Sequence, residues 1–260
     1  RSMNQRLHDR PKFGAMAVKV EICATSYAEA KAAAELGCDS VELCSWLACG
    51  GLTPSSGFVD TVRSTLDIAV RILVRPSPEG FVLAPPEANT LLVDCEVFGG
   101  GALDLVTGAL TAEGLMDIQL MQAVQRTAPE SRITFHRAID RARDPVRLGE
   151  QCVELGIHRI LTSGGSFRAM DGVDVIKAIM NATNGNCEIA LAAGINGQNV
   201  VELVERTGAQ EVHFSAQRKV AFRSEGVALS SLGGGDQFGI DPDIAKIEGV
   251  LNTLVKAGLR

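Results

Sequence analysis

Glutamate and cysteine recur with the same two-residue spacing at two places early in the chain. One is Glu21 and Cys23 within Lys19 to Cys23 (KVEIC); the other is Glu42 and Cys44 within the run from Ser40 to Ser55 (SVELCSWLACGGLTPS). On a β-strand, side chains two apart share a face, so each strand presents a carboxylate and a thiol together. The offset is 21 for both pairs (42 − 21 and 44 − 23). Parallel neighbours of a βαβ unit lie ~4.8 Å apart, which predicts that Cys23 and Cys44 are lateral neighbours at matching heights. Paired thiolates suit a soft ion of low coordination number, and Cu(I) is the metal expected there. Zinc normally takes four ligands, and the chain has no CxxC pair. Cys49, five residues after Cys44, is a candidate third sulfur.

The carboxylates suggest a second chemistry. Glu21 and Glu42, both inward and partly desolvated, are not both ionised comfortably without a cation between them, and Arg75, His136 and Arg137 are candidates to supply it. Catalytic candidates are therefore Glu21 and Glu42 as acid/base groups, with Arg75 and His136 orienting a substrate. The glycine turn at Gly194 and the strand end at Ser215 are candidates for holding an anion. Two structural alternatives stand beside these readings: cysteines as small core residues, and carboxylates in a salt-bridge network filling the interior. Cys38, Cys95, Cys152 and Cys187 lie in or beside helical patterns and are expected in the core.

Positioning these groups falls to a regular alternation. Strands are expected near 18–24, 40–45, 69–75, 103–109, 132–138, 159–163, 188–193 and 211–216. Seven intervals cover 193 residues (211 − 18), about 28 each, the cadence of a single-domain α/β TIM barrel, (β/α)₈. Ser26 is expected to cap a helix ended by Gly37, Asp144-Pro145 to open one closed by Gly156, and Asn196 or Gly197 to open one ended by Gly208. A last helix is expected from Asp241-Pro242 to Lys256. The glycine- and serine-rich stretch 225–239 is expected as a long loop on the active face. In such barrels function gathers at the C-terminal strand ends: Glu21, Cys23, Glu42, Cys44, Arg75, Thr107, His136, Arg137, Thr162, Ser163, His213 and Ser215.

The chain has 260 residues, 46% of them hydrophobic, and a net charge of −6. Residues 17–260 are read as one barrel domain, and 1–16 as a disordered tail or an expression remnant. The acidic balance argues against a nucleic-acid or anionic-membrane partner. No apolar run nears the ~20 residues of a membrane span, and the polar start has no secretory signal, so a cytoplasmic location is expected. The seven cysteines form no disulfide-like pattern and would stay thiols there.

The blocks KVEIC, VELC, GGLTPS, LVRP, VTGALTAEG, ITFHRAID, ILTSGG, AGIN and EVHFSA resemble the CutC copper homeostasis family over nearly the whole barrel. The resemblance implies a cytoplasmic TIM barrel tied to copper tolerance, Cu(I) at Cys23 and Cys44, and assembly into homo-dimers or homo-tetramers. Three positions depart from the family pattern. Ser77-Pro78-Glu79-Gly80 follows Arg75-Pro76, the turn after strand seven is reduced to Ala193-Gly194-Ile195, and Gln217 replaces an arginine. The expected function is copper homeostasis through a Cu(I) site at the barrel mouth. The alternative is a lyase, isomerase or hydrolase acting on a small anionic metabolite. Trp46 is expected as a lid or subunit-contact residue.

Overall fold

The computed structural model describes residues 17–101, 103–221 and 238–260. The expected tail 1–16 and all but the last two residues of the loop at 225–239 lie outside them. Eight parallel strands close into a barrel in sequence order: β1 (Lys19–Ala24), β2 (Ser40–Leu43), β3 (Ala69–Leu73), β4 (Asp104–Thr107), β5 (Ile133–Phe135), β6 (Arg159–Thr162), β7 (Glu188–Ala192) and β8 (Glu211–Ser215). All eight fall inside the ranges expected from sequence.

Helices α1 (Tyr27–Glu35), α2 (Ser56–Thr65), α3 (Pro85–Gly99), α4 (Ile118–Thr127), α5 (Pro145–Glu154), α6 (Val173–Thr183), α7 (Val200–Thr207) and α8 (Ile244–Lys256) wrap the barrel. Their apolar faces pack on the outward residues of the strands, where Ile22, Val41, Leu43, Ile72, Leu105 and Phe135 are fully buried. The caps read from sequence form at α1, where Ser26 Oγ accepts from Glu29 N at 3.3 Å. They form also at α5, where Asp144 Oδ1 accepts from Val146 N and Arg147 N. None of the helices is long and apolar enough to cross a membrane, among the described residues.

Two expected boundaries shift. Helix α7 begins at Val200, not at Asn196, because Asn196 Oδ1 accepts from Gln198 N and Asn199 Oδ1 accepts from Asn196 N, making a side-chain-closed turn before the helix. Helix α8 begins at Ile244, capped by Asp243, because Gly239–Pro242 instead forms strand β10, which pairs antiparallel with β9 (Gln217–Val220) beside the barrel.

The register also differs from the sequence expectation. Glu21 pairs with Ser40 and Cys23 with Glu42, an offset of 19 where equal spacing suggested 21. Strands in a closed barrel tilt and stagger, so matching sequence positions on neighbours do not lie level. Cys23 is therefore level with Glu42 on one side and Ser215 on the other, and Cys44 lies two residues beyond Glu42, just past the end of β2.

Candidate functional site

The inward side chains form two storeys. The lower one is a buried ionic layer. Glu21 Oε1 accepts from Arg159 Nη2 at 2.6 Å and contacts His213 Nδ1 at 2.8 Å; Oε2 accepts from Ser40 Oγ at 2.9 Å and from Arg71. Glu211 Oε1 accepts from Arg159 at 2.8 Å and Arg71 at 3.3 Å. Burial alone would raise the Glu21 pKa, but Arg159, His213 and Arg71 outweigh it and hold the carboxyl well below its usual range. Glu21 is thus a fixed anion with both oxygens occupied, and it does not line the cavity above. The cations that satisfy it are Arg71, Arg159 and His213, in place of the expected Arg75, His136 and Arg137.

The upper storey opens into a cavity of about 520 Å³ at the C-terminal mouth. Its lining includes Cys23, Glu42, Arg75, His136, Arg137, His213 and Lys246, and also Gly194 and Ser215. Cys23 Sγ lies 3.3 Å from Cys44 Sγ and 3.9 Å from Glu42 Oε1. Ligand atoms of Cys23, Glu42 and His213 all fall within 4.8 Å of one another. The Cys44 hydrogen bond, with burial behind it, pushes the Cys23 thiol well above its usual pKa. Burial raises the Glu42 pKa, with His213 opposing, and its Oε2 has no hydrogen-bond partner among the described residues. For His213, burial works against the proton, but Glu42 and Glu21 outweigh it and raise its pKa, favouring the imidazolium.

Cys44 is fully buried and does not line the cavity. The loop after β2 folds back through a Ser45–Leu52 bridge and lays Gly51 over it. Cys49 lines the cavity, and its thiol donates to Trp46 O at 3.1 Å. Trp46, 61% exposed at φ 41°, is no core residue. Cys38, Cys95, Cys152 and Cys187 are buried thiols; burial pushes Cys38, Cys95 and Cys187 up to about 12.

Just past β3, Arg75 donates Nη1 to the Cys49 and Gly51 carbonyls and Nη2 to the Pro78 carbonyl. His136 packs edge-on to Phe81, and burial together with the Arg75 charge lowers its pKa to about 3, so it is neutral. Arg137 pairs with Asp140, whose carboxylate also accepts from Thr162 Oγ1 and from the Ser163 and Gly165 amides. Thr107 and Thr162 do not line the cavity. Gly194, at φ +73°, accepts from Asn199 Nδ2 through its carbonyl, and the Ser215 carbonyl accepts from Lys246 Nζ at 2.6 Å. Lys246 is the cavity group least visible in the sequence, since it reaches the mouth from the first turn of α8.

A family model described as the CutC family matches residues 18–218. The chain belongs to the CutC family. A CutC family protein of Glaesserella parasuis serovar 5 is 34% identical over 237 residues, covering 90% of this chain and 98% of that one. Another, of Bacteroides thetaiotaomicron, is 35% identical over 240 residues, covering 90% and 96%. A solved CutC structure from Streptococcus agalactiae, whose given name assigns it provisionally to copper homeostasis, superposes with a TM-score of 0.72 at 27% identity, covering 76% of this chain and 98% of that chain. A phosphoribosyl anthranilate isomerase from Thermotoga maritima, at 15% identity and TM-score 0.54 over 92% of this chain and 99% of that chain, shares the fold alone.

The donor set fits a thiophilic ion: the Cys23 sulfur, an imidazole and a carboxylate lie within 4.8 Å of one another, and the Cys44 sulfur adjoins Cys23. Taking a metal–thiolate bond as about 2.3 Å, two bonds in a straight line would span ~4.6 Å. The sulfurs stand at 3.3 Å, inside that span, and His213 and Glu42 lie beside Cys23 as further donors that would help hold such an ion.

Proposed function

We propose that this CutC family protein serves copper homeostasis by taking up Cu(I) at Cys23 and Cys44, with His213 as the third donor. The 3.3 Å approach of the two sulfurs, with His213 and Glu42 beside Cys23, is the observation that supports this most directly. A thiol must lose its proton to bind a metal. Glu42, 3.9 Å from Cys23 Sγ, is the carboxylate placed to take that proton. His213 is held by Glu21 through Nδ1, and loss of the proton that the imidazolium carries on Nε2 would free that nitrogen for the ion.

Reduced, unpaired thiols belong to a reducing compartment, which supports a cytoplasmic location. Val93 and Val97, exposed one turn apart on α3, support assembly into a homo-dimer or homo-tetramer, which light scattering would resolve. The copper reading is tested by anaerobic titration of reduced protein with Cu(I) against a coloured Cu(I) chelator. One ion per chain is expected, with Cys23→Ser/Cys44→Ser losing it. Unchanged uptake by the double variant overturns the reading.

A further inference from the structure

The cavity holds two buried groups that the protein answers only in part: Arg75 meets no carboxylate, and Glu42, although it has His213 beside it, keeps one carboxylate oxygen without a donor. Arg75 is 8% exposed, and every partner of its guanidinium is a neutral backbone carbonyl; Nε has none at all. Glu42 is 4% exposed, makes no ion pair with an arginine or lysine among the described residues, and keeps Oε2 without a partner. A buried charge without a counter-charge is costly, and so is a buried acceptor without a donor. The layer below differs in its charges: both oxygens of Glu21 are occupied, and Arg159, although its Nε has no partner, meets two carboxylates. The two partly answered groups line one cavity, of a size usual for small-molecule sites.

The charges around that cavity are unequal. Arg75, Arg137, Arg141 and Lys246 line it, with His213 beside Glu42, against the carboxylates of Glu42 and Asp140. Asp140 is already engaged by Arg137, Thr162, Ser163 and Gly165. The Arg141 side chain is exposed and makes no ion pair or hydrogen bond among the described residues. Lys246 Nζ gives one of its three protons to the Ser215 carbonyl.

We propose that this cavity binds a small organic anion that also carries a hydroxyl or amino group, its anionic end facing Arg75, Arg141 and Lys246 and its donor end facing Glu42. The size and the opposed charges exclude a bare inorganic ion as the whole ligand, because an ion answers the cations and leaves Glu42 as it was. The site is separate in chemistry from the copper reading, although both use the cavity floor, and it does not depend on it.

Calorimetric titration of the full reduced chain, kept with a Cu(I) chelator so that no metal takes part, tests the proposal with matched probes. Glycerol 3-phosphate is compared with propyl phosphate, which has the same anion and no hydroxyl, and glycerate with propionate. The hydroxylated member of at least one pair is expected to bind about tenfold more tightly than its partner. Glu42→Gln is expected to shrink that ratio, and Arg141→Ala, at an exposed and partnerless position that the fold does not need, to weaken both members. The phosphate and carboxylate pairs distinguish the two sources of the anion. No binding of either hydroxylated probe at millimolar concentration, equal binding within both pairs, or a ratio unchanged in Glu42→Gln overturns the proposal.

Discussion

Arg159 and Glu21 meet at 2.6 Å in the centre of the barrel although 138 positions separate them in sequence. The same guanidinium nitrogen also reaches Glu211, so one cation from β6 ties together carboxylates from β1 and β8. The side chain is 2% exposed, and its charge is held by both glutamates against the opposing effect of burial.

Replacing Arg159 by methionine keeps much of the volume and removes the cation, leaving Glu21 and Glu211 to Arg71 and His213. A buried pair broken on one side typically costs about 3–5 kcal/mol, and urea unfolding of Arg159→Met is expected to show a loss of that order. Arg159→Lys, which restores charge but not the fork that serves two partners, should fall between. A methionine variant within about 1 kcal/mol of the parent would show that the layer does not stabilise the fold as its geometry implies.

The barrel was legible because its signals are local: β-branched runs, glycine helix stops, and caps such as Ser26 and Asp144. The site was legible in part. Alternation correctly put Cys23, Glu42 and His213 on the inner face, and the C-terminal strand ends correctly included Arg75 and His136. Arg159 and Glu211 escaped because they lie toward the strand starts and serve the lower storey, and Arg71, which alternation puts on the face of Arg75, was not read as a partner of Glu21. Equal spacing placed Glu21 beside Glu42, whereas strand stagger sets Glu21 beside Ser40 and hides it under the cavity. Lys246 could not be read from the strands at all, since a helix delivers it.

His136 provides a pH test away from the copper donors. Its folded pKa is lowered from 6.5 to about 3, first by burial and then by the Arg75 charge. A lowered histidine pKa means that the unfolded chain binds the extra proton between the two values. The contribution to stability is therefore full above about pH 6.5 and lost as pH falls toward 3. The difference of about 3.5 units corresponds to roughly 5 kcal/mol at the low end, and to about half that by pH 5. His136→Gln is expected to flatten this part of the pH profile. In NMR, the His136 ring protons should not titrate between pH 8 and 5; a midpoint near 6.5 would contradict the burial argument.

Thiol labelling separates the seven cysteines. Reaction requires thiolate and access. Six are buried, and Cys49 alone is half-exposed. Brief alkylation of the native reduced protein is expected to mark Cys49 first, with Cys23 following slowly because it lines the cavity but has a raised pKa. Cys38, Cys95, Cys152 and Cys187 should stay unlabelled until the chain unfolds. Early label on Cys44, read by peptide mass spectrometry, would mean that the loop carrying Gly51 does not cover it.

That loop can be probed at its glycine. Gly51 has φ +91°, and an added Cβ would stand 2.7 Å from Leu73 Cδ2, 3.4 Å from Cys44 Cβ and 3.5 Å from Cys44 Sγ. Gly37 has a similar φ of +80°, yet an added Cβ there meets nothing within 4 Å. Alanine at Gly37 therefore carries only the backbone penalty, about 1 kcal/mol. Alanine at Gly51 carries that penalty plus crowding against the sulfur pair, and a further 1–3 kcal/mol or so is expected. The crowding acts where Cys44 faces Cys23, so Gly51→Ala should also weaken Cu(I) uptake in the chelator competition while Gly37→Ala leaves it unchanged. Equal stability losses and equal copper affinities in the two variants would mean that the loop yields freely, and that its cover over Cys44 does not hold the two sulfurs together.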